Sequence, residues 1–175
     1  EMLEEGIKTV ESQSIPTEII IIKDSELGPA EARNKGIRES SHRFVAFLDA
    51  DDLWVENKLE RQLLQMRGTE TGACFESSCA APPGNIEVDK LIRSIISGEV
   101  NGFTSSLLID RYQVRTLFDP KLERYEDHLF LIEAASEAGV CTCPDLINLR
   151  KHEEGLSAVN NADKIIRSRK RFYSQ

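Results

Sequence analysis

Three carboxylates, Asp49, Asp51 and Asp52, crowd into four positions at the end of the stretch RFVAFLDADDLW. Like charges this close raise one another's pKa, whereas a divalent metal that also takes phosphate oxygens lets all of them stay ionised. Carboxylates after a strand also serve as caps for the next helix, so the cluster alone leaves both readings open. A second acidic pair, Glu126-Asp127, stands where another helical pattern begins. There an Asp is a preferred cap, and the positive end of the helix dipole holds a carboxylate ionised. In a third stretch, LRKHEEGLS, Arg150 has the planar fork that suits bidentate phosphate contact, while His152 by its type alone is a loop histidine.

The elements that must position these groups follow from periodicity. Residues 44–48 are apolar without alternation, which predicts a short strand covered on both faces, with the acidic cluster at its carboxyl end, where open α/β sheets place ligands. Leu3, Ile7 and Val10 predict an amphipathic helix over 1–12, and Pro16 turns the chain into 17–23, whose four consecutive isoleucines predict a fully buried parallel strand ending at Asp24. Gly28-Pro29 opens a helix over 30–41 that carries Arg33, and a further helix over 56–66 follows the acidic cluster. Downstream the pattern predicts a strand over 73–80, a break at 82–85, a helix from Val88 to Ile96, and a strand over 103–109. A helix from Asp127 to about Gly139, short strands at 140–143 and 146–149, and a helix over 160–175 with a basic face complete the reading.

Composition bounds the possibilities. A chain of 175 residues with 40% hydrophobic residues suits one compact domain with a real core. Its 22 basic residues against 30 acidic ones give a net charge of −8, which argues against nucleic acid as a partner, since that needs a basic face to displace counterions. No run approaches the ~18 apolar residues of a membrane span. The start shows no basic and apolar leader, so a cytoplasmic address is expected. Cys74, Cys79, Cys141 and Cys143 lack zinc-type spacing and read as buried reduced thiols.

The segment GPAEARNKGIRESSHRFVAFLDADDLWVENKLERQ, residues 28–62, closely resembles the donor-binding core of family 2 glycosyltransferases, inverting enzymes of the GT-A fold. The match includes A-R-N-x-G, the D-x-D, and D-D-x-W followed by a K-L-E helix; F-D-P-K-L followed by Glu126-Asp127, and the R-x-H stretch at Arg150, extend it. The resemblance implies a GT-A-like α/β domain over 1–175 with a mostly parallel central sheet. It implies transfer of a hexosyl or N-acetylhexosaminyl group, with inversion, from a nucleotide-sugar donor, as in polysaccharide biosynthesis. On this pattern Asp24 and Arg33 contact the nucleotide, with Asn34 also facing the donor. Asp49 meets the ribose, Asp51 holds Mg2+ or Mn2+ with help from His152, and Arg150 reaches the pyrophosphate. Asp127 is the catalytic base, with Glu126 beside it. The acceptor is a glycan, a lipid-linked sugar or a protein, and the basic face of 160–175 offers peripheral contact with the inner face of a membrane.

Two departures from the family pattern stand out. No strand of the type V-S-V-I-I-P-T-Y-N precedes Glu1, and the D-G-S turn, helix and strand that the family has next are absent between Ser25 and Glu26. The domain is therefore expected to lack its first strand and one or more loops, to carry an unpaired sheet edge there, and to come from a longer protein. Two other function classes compete. A sugar-nucleotide nucleotidyltransferase would share the sheet and acidic site, but no Gly-rich phosphate loop bearing Lys or Arg is visible. A non-catalytic metal or nucleotide-binding module would leave Glu126-Asp127 without work.

Overall fold

A computed structural model of the chain describes residues 1–23, 26–77, 84–97, 100, 104–122 and 124–150. In chain order the elements are α1 (Met2–Glu11), α2 (Pro29–Glu39), β1 (Phe44–Ala46), β2 (Leu53–Trp54), α3 (Lys58–Thr69), β3 (Ala73–Phe75), β4 (Gly84–Ile86) and α4 (Val88–Ile96). A 3-10 turn at Thr104–Ser106 leads into β5 (Leu108–Asp110), followed by α5 (Glu126–Ala138), β6 (Val140–Thr142) and β7 (Ile147–Asn148). Local chemistry sets several of these bounds. Pro29 takes the first position of α2, where its missing N–H costs nothing. Gly139, at a φ of 68°, closes α5 and lets the chain turn at once into β6.

Five strands form one sheet in the order β1-β5-β3-β6-β4, and β2 pairs with β7 in a separate two-stranded ribbon. The pairing is mixed. β3 and β6 are parallel, while β5 runs antiparallel to both β1 and β3, and β4 antiparallel to β6. Thus β1, β3 and β6 share one direction, and the acidic cluster follows the carboxyl end of β1.

Alternation along the central strands feeds two cores, as the two-residue strand period requires. Ala73, Phe75, Ile109 and Val140 face Leu91, Phe130, Leu131 and Ala134 of α4 and α5. The intervening Cys74, Leu108 and Cys141 face Val10 of α1 and Leu59 and Met66 of α3. The result is the α/β/α layering expected from the sequence, but among the described residues the sheet is not mostly parallel as expected, since only the β3–β6 pairing runs parallel. The three described cysteines, Cys74, Cys141 and Cys143, are free and buried.

Several expectations about elements need correction. Residues 17–23 form no regular strand; Ile19 and Ile21 are exposed, and Ile20 and Ile22 only half-buried. Four isoleucines supply β propensity, but a strand needs a ladder partner, and among the described residues β1 pairs with β5 alone. A cavity of about 650 Å3 lies between the 17–22 segment and β1. For the same reason Phe44 is 38% exposed instead of covered on both faces. Gly84 and Asn85, read as part of a break, belong to β4, and within the segment read as a strand over 103–109, residues 104–106 form the 3-10 turn and β5 starts only at Leu108. Residues 160–175 lie outside the described residues. Among those described, no helix is long and apolar enough to cross a membrane.

Candidate active site

The acidic turn is built from β1 outward. The Asp52 N–H donates to the Asp49 carbonyl at 3.1 Å, which closes a tight turn over Asp49–Asp52. Its three carboxylates have different surroundings. Asp52 is 7% exposed and accepts a hydrogen bond from the Ser105 hydroxyl at 2.5 Å. Burial raises its pKa, the Ser105 bond offsets part of that, and Asp51 and Asp49 push it further up. Asp49 is half-buried and meets the Arg33 guanidinium, whose Nη2 lies 3.1 Å from both carboxylate oxygens. Asp51 is the carboxylate of this turn without a partner among the described residues.

Arg33 joins two elements that the sequence keeps far apart. Its Nη2 holds Asp49, while its Nη1 donates to Glu126 Oε1 at 2.7 Å, with both side chains of that second pair 13–14% exposed. Burial alone would lower the Arg33 pKa, but the charges of Asp49 and Glu126 outweigh it and raise it. So Arg33 stays charged and fixes the start of α5 against the acidic turn. The helix that carries Arg33 is itself pinned from behind. Asn34, 2% exposed, donates to the Phe118 carbonyl at 2.8 Å and accepts from the Phe118 N–H at 2.9 Å. That pairing buries the Asn34 amide against Phe118 and corrects the expectation that Asn34 faces the donor.

Asp127 sits in the first turn of α5 and is not its cap; Tyr125, at a φ of 68°, takes that place. The Asp127 Oδ1 accepts the His128 N–H at 2.8 Å. Burial, then the neighbouring Glu126 charge, push its pKa up to about 7, against smaller opposing effects of the His128 N–H and Arg33. A carboxylate tuned this way can take or release a proton near neutral pH.

Arg150 is half-buried, with Nη2 2.9 Å from Glu5 Oε2 of α1 and its backbone near Asp52. The structure thus brings Arg33, Asp49, Asp51, Glu126, Asp127 and Arg150 into the region around one turn. Asp24 and His152 lie outside the described residues. Among the described residues no group of three or more His, Cys, Asp or Glu side chains is arranged to hold a metal ion. The unengaged Asp51 carboxylate still fits Mg2+ or Mn2+, which proteins bind through one or two carboxylates with substrate phosphates and water completing the shell.

Sequence reading missed the groups beneath the turn. Ser105, fully buried, accepts the Asp49 N–H at 3.1 Å, and its carbonyl accepts the Trp54 indole N–H at 2.8 Å. Lys58 Nζ lies 4.3 Å from the Trp54 ring centroid and donates to Gln62 at 2.7 Å. Gln62 in turn donates to the Cys74 and Ser106 carbonyls. The available signal was the run Thr104-Ser105-Ser106 directly before an apolar strand, since hydroxyls in such a place are buried and must be paired.

Residues 1–79 match the family described as glycosyl transferase family 2. Over 163 residues, 85% of this chain and 62% of the relative, the sequence is 29% identical to the Escherichia coli UDP-Glc:alpha-D-GlcNAc-diphosphoundecaprenol beta-1,3-glucosyltransferase WfaP. It is 28% identical over 116 residues to the putative teichuronic acid biosynthesis glycosyltransferase TuaG of Bacillus subtilis, covering 62% of this chain and 46% of that one. The chain therefore spans less than two thirds of the length of these relatives. The fold superposes on S. aureus TarS with a TM-score of 0.67 at 14% identity, over 87% of this chain and 35% of TarS. TarS residues 1–349 in complex with UDP-GlcNAc superpose with a TM-score of 0.58 at 16% identity, over 75% of this chain and 41% of that one.

Proposed function

From a chain whose residues 1–79 match glycosyl transferase family 2 and whose fold is that of the GT-A glycosyltransferases, we propose that the protein carries the catalytic core of an inverting, metal-dependent sugar transferase. The observation that carries this reading is the Arg33 bridge, which ties the acidic turn at Asp49 to the start of α5, where Asp127 sits. Donor-side and acceptor-side groups thereby share one cluster.

In this reading Asp49 takes the ribose hydroxyls, Arg33 with Asp24 lies toward the nucleotide, and Arg150 faces the diphosphate. A divalent ion held by Asp51 and His152 would supply counter-charge to the diphosphate oxygens. Asp127 accepts the acceptor hydroxyl's proton as that oxygen bonds to the anomeric carbon and the bond to the diphosphate oxygen breaks on the opposite face. One displacement inverts the configuration. Burial of Asp127 suits this role, because a base with a pKa near the working pH combines ionisation with proton affinity. Glu126, held by Arg33, keeps α5 in place and adds to the field that raises Asp127.

The name of WfaP and the UDP-GlcNAc complex of TarS support a UDP-hexose or UDP-N-acetylhexosamine donor. The WfaP name further supports an acceptor sugar on a lipid diphosphate. A panel of nucleotide sugars, read out by released nucleoside diphosphate with Mn2+ present, tests the proposal. UDP release from a UDP-hexose is the expected result. Turnover that instead requires pyrophosphate would identify a nucleotidyltransferase, and no turnover with any donor, acceptors included, would leave a binding module.

A further inference from the structure

We propose that Ser105 is a positioning residue for the acidic turn, clamping it at both ends through one hydroxyl. This rests on the reading of the turn as the diphosphate and metal site. The hydroxyl donates to Asp52 Oδ2 and accepts from the Asp49 N–H. The Asp49 backbone N–H only donates, so it occupies a lone pair of the Ser105 hydroxyl and leaves the hydroxyl proton to the Asp52 carboxyl. Ser105 is held in turn by the Trp54 indole at its carbonyl, and it shows no exposure to solvent. The 3-10 turn that carries it is closed by the Leu107 N–H on the Thr104 carbonyl, just before β5.

Asp52 therefore acts as an anchor and not as a ligand. With Asp49 N–H and Asp52 carboxylate both fixed to Ser105, the side chains of Asp49 and Asp51 project from a turn that cannot relax when phosphate and metal arrive. Groups that orient metal-binding side chains in this way are typically worth about 10–100-fold in metal affinity.

The neighbouring Ser106 provides the control. Its hydroxyl is equally buried but accepts the Glu76 N–H at 3.0 Å, away from the turn. Calorimetry of UDP with Mn2+ should show Ser105→Ala at least 10-fold weaker than the native chain and Ser106→Ala within about 2-fold of it, with similar melting temperatures for the two variants. Equal binding by Ser105→Ala and the native chain would overturn the proposal, as would equal weakening in both variants. If the native chain shows no Mn2+-dependent UDP binding, the reading of the site fails while the clamp still has its own measurement. Amide hydrogen exchange at Asp49 and Asp52 should accelerate in Ser105→Ala alone, and unchanged exchange would overturn it.

Discussion

Asp127 concentrates the chemistry of the site in one titration. Its pKa is pushed up to about 7 by burial and by Glu126, so if Asp127 is the base, as proposed, kcat should rise with pH through about 7 as it ionises. The same shift has a consequence for stability. A carboxylate whose folded pKa is raised contributes stability that is fully present below its unfolded pKa near 4 and is lost as pH rises through the folded value. Replacing Asp127 by Asn, which keeps an acceptor for the His128 N–H, should therefore raise the melting temperature at pH 8 and leave it nearly unchanged at pH 4. Transfer should fall on the order of 10²–10⁴-fold, in kcat and not in donor binding. Near-native transfer by the variant would reduce Asp127 to a structural residue of α5. The acidic residues were legible in the sequence because their motif is local. Their division of labour was not, since it depends on partners from elsewhere in the chain: Arg33, 16 positions from Asp49 and 93 from Glu126, and Ser105, 53 positions from Asp52.

At the level of elements, close contacts decide what the sequence could reveal. Helices α1, α2, α4 and α5 fall near their expected bounds because amphipathic spacing, Pro29 and Gly139 act within a few residues. Strand identity fails at 17–23, where strong local propensity meets no ladder, and at 84–86, where Asn85 joins the sheet because Cys141 lies opposite it. Among the described residues the amides of 17–22 lack backbone partners. Hydrogen exchange there should be fast while β3 stays protected, and slow exchange over 17–22 would contradict the fold described. Gly72 shows the opposite regime. Its N–H donates to the Ala138 carbonyl at 2.8 Å, its carbonyl accepts the Asp110 N–H at 2.8 Å, and a Cβ added there would collide with the Ala138 side chain. Gly72→Ala should cost about 1–3 kcal/mol, as overpacking does. Adding Ala138→Gly should recover part of that loss in thermal melts, and no recovery would point to a different source of strain.

For the whole molecule the balance of charge matters most. A chain of net charge −8 that handles a diphosphate must gather its positive charge locally. Among the described site residues Arg33 is spent on Asp49 and Glu126, and Arg150 lies beside Glu5. A bound anion would meet Asp49, Asp51 and Asp52 with little charge from the described residues to offset them, which is why the proposed reading has a divalent cation entering with it. This makes metal dependence the central claim, and calorimetric titration of the native chain and of Asp51→Ala with UDP, each with and without Mn2+, tests it most directly. Binding by the native chain is expected only when Mn2+ is present, with no gain from Mn2+ in Asp51→Ala. Equal affinity of the native chain for UDP with and without the metal would contradict it.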